Sequence, residues 1–238
     1  MRKKNSVLFI GNFLSLTRGT KSISESLSKS QLGDHFEIQL VSSQENKFRR
    51  LLEIIVSIVL YKNRLVHIDV FSGQSFQIAR IASILLKLRK KTIVYTLHGG
   101  RLPFFFQENT VLVSKTLKRA DFLQTPSLYL QSYFTKHGFE IHYLPNSINL
   151  KQFKYKRLVD NERFSLLWVR AFDKIYNPDI PVRVLYELKK EFPKIKLTMV
   201  GPDKGMIAEV KNLARDLDVF DDICFTGPVK NTELSRYY

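Results

Sequence analysis

Short runs of β-branched and aromatic residues recur along the chain, separated by longer stretches with helical periodicity. Val7–Ile10, Glu37–Val41, Leu65–Val70, Thr92–Thr96, Phe122–Thr125 and Ile141–Leu144 predict strands. Ser22–Leu32, Phe48–Tyr61, Phe76–Leu88, Val111–Lys118 and Leu128–His137 predict the helices between them. Strict alternation of this kind predicts βαβ units, a parallel sheet with helices on both faces. After the charged stretch Lys151–Arg163 a second series begins: strand Ser165–Val169, helix Pro181–Glu191, strand Lys196–Val200, helix Met206–Leu217, strand Ile223–Thr226 and a helix start at Asn231. Pro193 closes the first helix of that series, because proline cannot continue the backbone ladder. The pattern predicts a Rossmann-like domain over 1–150, a linker over 151–163 and a second Rossmann-like domain over 164–238. A doubly wound domain has five or six strands, so the second, with three, reads as incomplete.

Composition narrows the class. With 44% hydrophobic and 25% charged residues among 238, the chain is globular rather than disordered. The lone Cys224 excludes an internal disulfide and fits a reducing compartment. No CxxC or HExxH spacing is present, so no metal centre is expected. The start Met1-Arg2-Lys3-Lys4 followed by Val7–Leu16 has the look of a signal peptide, but Gly11-Asn12 interrupts the apolar run and no small-x-small cleavage site follows. No apolar stretch approaches the length of a membrane span.

The 38 Lys and Arg against 22 acids give a net charge of +16, a field that attracts nucleic acid, anionic membrane or phosphorylated small molecules. No helix-turn-helix, RNP or zinc-finger signature supports nucleic acid.

Ligands of open parallel sheets bind beyond the carboxyl ends of the strands, and the loops there carry the candidate chemistry. Gly11-Asn12 follows the first strand, and Arg18-Gly19-Thr20 leads into a helix whose free amides favour anions. The spacing is not GxGxxG, and Val41-Ser42-Ser43 offers no acid for a ribose, so a dinucleotide is not expected; an ordinary glycine turn explains Gly11 equally well. His98-Gly99-Gly100 follows the fourth strand, where packing explains a histidine before two glycines poorly: the imidazole can bond a hydroxyl while the glycines admit close backbone approach, and a bond from His98 to a neighbouring carbonyl is the lesser alternative. Pro145-Asn146 reads as a corner between the halves. Arg170 and Lys174 follow the first strand of the second series, where two cations can neutralise a diphosphate leaving group. Gly201-Pro202 and Gly227-Pro228 end later strands, either as turns or as backbone that lines a nucleotide.

In this order the motifs resemble the family 4 glycosyltransferases of the GT-B fold. The resemblance rests on the glycine loop at Gly11, His98-Gly99-Gly100, Pro145-Asn146, Leu197-Thr198-Met199-Val200-Gly201 and Phe225-Thr226-Gly227-Pro228-Val229. It implies an α/β protein with an acceptor-binding N-terminal domain and a C-terminal domain that holds a UDP- or GDP-linked sugar. Sugar transfer would proceed with retention, without a cofactor. It also implies that His98 is the acceptor-side histidine, that Arg170 and Lys174 grip the donor phosphates, and that Gly11, Asn12, Gly99, Gly100, Gly201 and Gly227 line the ligands. Two departures stand: Val169-Arg170 replaces the usual Gly-Arg pair, and only three residues separate Arg170 from Lys174. The family's E-x7-E motif would lie past Tyr238, so the chain reads as truncated. The alternative is an inactive fragment or binding protein.

Lys47, Arg49, Arg50 and Lys62 flank an apolar run, Phe48–Tyr61, that suits either a buried crossover or an anionic bilayer surface. The expected setting is cytoplasmic, peripheral at the inner membrane face. The acceptor would be a glycan or lipid-linked sugar of cell-surface polysaccharide synthesis.

Overall fold

A computed structural model describes residues 5–11, 13, 25, 35–41, 44, 46–147, 153 and 164–238. The expected helix over 22–32 and linker over 151–163 lie outside these, apart from Glu25 and Phe153. The chain divides into two compact units, 1–147 and 148–238.

The first unit is a six-stranded sheet. In chain order its elements are β1 (Asn5–Ile10), β2 (Phe36–Val41), α1 (Lys47–Leu60), β3 (Leu65–Val70), α2 (Phe76–Leu88), β4 (Thr92–Leu97), α3 (Leu102–Glu108), α4 (Thr110–Leu117), β5 (Phe122–Thr125), α5 (Leu128–Lys136) and β6 (His142–Tyr143). The strand order is β2-β1-β3-β4-β5-β6, and every pairing is parallel. From β2 onward each connection moves the sheet the same way, and right-handed crossovers then put α1–α5 on one face. Their inward residues, among them Ile58, Phe76, Leu102, Leu117 and Phe134, form one core with Leu8, Ile68, Tyr95 and Leu97 of the strands. Each such large side chain contributes about 1.5–3 kcal/mol by leaving water. The opposite face carries a smaller cluster around Val7, Phe9 and Phe13.

The second unit has β7 (Ser165–Val169), α6 (Ile180–Leu188), β8 (Lys196–Val200), α7 (Ile207–Asp216) and β9 (Ile223–Gly227). Its three parallel strands lie in sequence order, with a separate core that includes Phe172, Leu185, Met199 and Val210.

The sequence reading and the structure differ in places. Helix α3 is absent from the sequence reading, because Leu-Pro-Phe-Phe-Phe has the composition of a strand. Pro103 falls in the first turn, where its missing N–H costs nothing, and Leu102 and Phe106 are buried in the core. The strand expected at Ile141–Leu144 shrinks to His142–Tyr143 at the sheet edge. The helix start expected at Asn231 is a 3-10 turn over Asn231–Arg236.

Candidate functional site

The order of the first sheet reverses between β1 and β3, and a crevice at the carboxyl ends of strands forms at such a reversal. Gly11 leaves β1 there, its N–H donating to the Val41 carbonyl. A Cβ on Gly11 would lie 2.7 Å from Asp69 Oδ2 and 2.9 Å from the Phe13 ring. Only a residue without a side chain allows Asp69 its place.

Asp69 is the penultimate residue of β3 and pairs in register with Thr96 of β4. Residues two apart on a strand share a face, so His98, just past β4, stands on the same side as Asp69. His98 Nε2 lies 3.1 Å from Asp69 Oδ1, and both side chains are largely shielded from solvent. The Phe71 ring stacks on the imidazole at 5.0 Å. A carboxylate on Nε2 holds the proton on that nitrogen, which leaves Nδ1 of the neutral ring as an acceptor for an incoming hydroxyl. After His98, Gly99 takes a φ of +87° and neither Gly99 nor Gly100 has an atom within 4 Å of its Cβ position, so the backbone is open there.

Below this pair on the same face, His67 Nε2 lies 2.7 Å from Thr96 Oγ1, and the Gln124 amide donates to that same oxygen. His67 is buried, its Nδ1 has no hydrogen-bond partner, and the Phe9 ring stands 4.4 Å away. Burial pushes its pKa below the ordinary imidazole value.

In the second unit three strand ends stand side by side. The Arg170 N–H donates to the Val200 carbonyl and the Gly201 N–H to the Gly227 carbonyl. A Cβ on Gly201 would overlap the Arg170 carbonyl oxygen, so this glycine is fixed by backbone contact with the neighbouring strand end. Gly227 has a φ of +72° with open space at its Cβ position. The Arg170 guanidinium rests over the Tyr176 ring, 5.6 Å from its centre. Lys174 opens a 3-10 turn capped by the Asp173 carboxylate and lines a groove of about 430 Å3 with Asp179, Arg183, Glu209 and Asp216. The two cations thus have different neighbours. Asp203 Oδ1 accepts from the amides of Gly205, Met206 and Ile207. Those bonds hold its pKa below the usual carboxylate range.

The structure therefore brings Gly11 and His98 together in one unit, and Arg170, Gly201 and Gly227 in the other. Asn12 lies outside the described residues. Sequence reasoning missed Asp69, Phe71 and the His67–Thr96–Gln124 row. The available signal was two titratable residues, His67 and Asp69, at alternate positions of an otherwise apolar strand. Among the described residues no cluster of His, Cys, Asp or Glu could hold a metal ion.

No family model and no curated protein matches the chain. Solved structures do share its fold. The catalytic domain of starch synthase IV from Arabidopsis thaliana, bound to ADP and acarbose, aligns with a TM-score of 0.62 at 8% identity, over 98% of this chain and 76% of that one. The UDP complex of S. aureus MnaA aligns at 0.55 and 14% identity, over 98% and 71%. WaaG, a glycosyltransferase involved in lipopolysaccharide biosynthesis, aligns at 0.53 and 16% identity, over 96% and 72%. At these identities the likeness is one of fold: α/β, Rossmann-like and of the GT-B type.

Proposed function

We propose that the chain is a glycosyltransferase. It moves a sugar from a UDP- or GDP-linked donor to a glycan or lipid-linked acceptor, in the synthesis of a cell-surface polysaccharide. The observation that carries the reading is the His98–Asp69 pair beside Gly11 at the reversal point of the first sheet. It is an oriented acid–base group on an open backbone, where this architecture places ligands. In this reading the first unit receives the acceptor and His98 Nδ1 accepts its hydroxyl proton, while Asp69 positions the ring. The second unit holds the nucleotide. Arg170 meets the diphosphate at the row of strand ends and stabilises the charge that builds as the glycosidic bond breaks. Lys174 would supply a second cation. Support for a nucleotide comes from structures of the same fold described with ADP and UDP, and from the net charge of +16.

Turnover of a panel of UDP- and GDP-sugars, with and without polyprenyl-linked glycans, tests the proposal. The expected result is nucleotide release stimulated by one acceptor class. His98→Ala lowers kcat by about 10²–10⁴, and Asp69→Asn lowers it in the same sense because it weakens the control of the tautomer. Folded protein with no turnover of any donor would leave the inactive binding protein as the better account.

A further inference from the structure

Helix α1 carries large apolar residues on two sides, separated on one flank by Arg50, Glu53 and Ser57, and only one of those sides enters the core. Ile54 and Ile58 are fully buried. Phe48, Leu52, Val56, Val59 and Leu60 stand 85%, 62%, 48%, 51% and 69% exposed. At 3.6 residues per turn these five occupy an arc of about 120°, a continuous stripe on the side away from the sheet. Helix α2, packed beside α1, adds Ile84 and Leu88, the latter 76% exposed. The C-terminal ends of the two helices are tied together, since Lys91 donates to the carbonyls of Lys62 and Asn63. Helices of soluble proteins normally turn polar residues to water, so contiguous exposed side chains of this size mark an interaction surface.

Its rim is basic. Arg49 lies on α1 within the arc, and Lys62, Arg89 and Lys90 are exposed at the joined helix ends. None of the four enters an ion pair among the described residues. The exposed arc of α1 and the whole of α2 carry no acidic residue, so a second copy docked by the same face would offer these cations no counter-charge there. An apolar stripe with a cation within it and a basic cluster at one end is instead the pattern of a surface that inserts side chains at the acyl boundary while its cations meet anionic headgroups.

We infer that the outer face of α1 and α2 docks on an anionic membrane surface, with Phe48, Leu52, Val56, Leu60 and Leu88 inserted and Arg49, Lys62, Arg89 and Lys90 on the headgroups. No helix among the described residues is long and apolar enough to cross a membrane. This docking stands whether or not the chain transfers a sugar.

Flotation of the full chain with phosphatidylcholine vesicles, with and without phosphatidylglycerol, tests this. The expected result is flotation that depends on phosphatidylglycerol, weakens with salt, and falls at least about tenfold in Leu52→Glu/Leu88→Glu and in Lys62→Glu/Arg89→Glu. All the substituted side chains point to solvent, and near-UV circular dichroism matching the wild type shows that the variants remain folded. The inference is overturned by folded wild-type protein that stays at the bottom with anionic vesicles, or by equal flotation on neutral ones. It is also overturned by folded variants that float like the wild type. A wild-type dimer in sedimentation velocity that Leu52→Glu/Leu88→Glu dissolves would likewise overturn it, and would assign the face to a second copy.

Discussion

His67 couples the first sheet to pH. Its ring is buried between Phe9 and Thr96, and desolvation lowers its pKa from the ordinary 6.5, with the nearby His98 adding to the shift and Asp69 opposing it. The unfolded chain takes up a proton as pH falls through 6.5, while the folded chain keeps the ring neutral. The unfolded state then binds more protons, so the stability this group contributes is complete above pH 6.5 and is lost as pH drops below it. The thermal midpoint should fall on acidification below 6.5, and His67→Gln should remove part of that fall. Parallel acid profiles for the two proteins would take His67 out of the account. At this scale the sequence was half legible. His98 was visible because a histidine before two glycines has little reason to be in a core. Asp69 was not, because only the β3–β4 register brings residues 29 apart into contact.

The elements were more legible than the contacts between them. Alternating apolar runs locate most of β1–β9, because burial on a pleated sheet imposes that composition on each run locally. Helix α3 escaped because tertiary burial of Leu102 and Phe106 outweighs the strand preference of three consecutive phenylalanines. The apolar run Phe48–Tyr61 fitted both a buried crossover and a surface helix, and the structure shows why: α1 has one apolar side in the core and another in water. The approach of β7 to β8 was illegible for a different reason. Gly201 reads in the sequence as a turn or as backbone that lines a nucleotide, and neither reading shows that its Cβ position is occupied by the Arg170 carbonyl. The same two loops are strapped by the Phe172 N–H to Pro202 and by the Lys204 N–H to Phe172, so the clash has little room to relax. Gly201→Ala should cost about 2–4 kcal/mol in urea unfolding. Gly227→Ala, which has open space and only a positive φ to oppose it, should cost about 1 kcal/mol. Equal costs at the two positions would mean that the strand ends separate without penalty.

For the whole molecule, the question is whether the two units divide the work. Each has its own core and its own row of candidate residues, and the chain's positive field acts on any phosphate regardless of either row. A ligand that binds only the folded state stabilises it by RT ln(1 + [L]/Kd), about 2.7 kcal/mol at a hundredfold excess over Kd. If the second unit holds the nucleotide, UDP or GDP should raise the thermal midpoint of wild type and of Asp69→Asn alike, and Arg170→Ala should lose most of the rise. Pyrophosphate at matched ionic strength separates recognition from mere charge, since a net charge of +16 attracts both ligands through a field that salt screens. Nucleotide protection that exceeds pyrophosphate protection and depends on Arg170 would place the donor at the carboxyl edge of β7–β9. Equal protection by the two ligands, unchanged in Arg170→Ala, would mean that the general field does the binding, and the assignment of the second unit to the donor would fall.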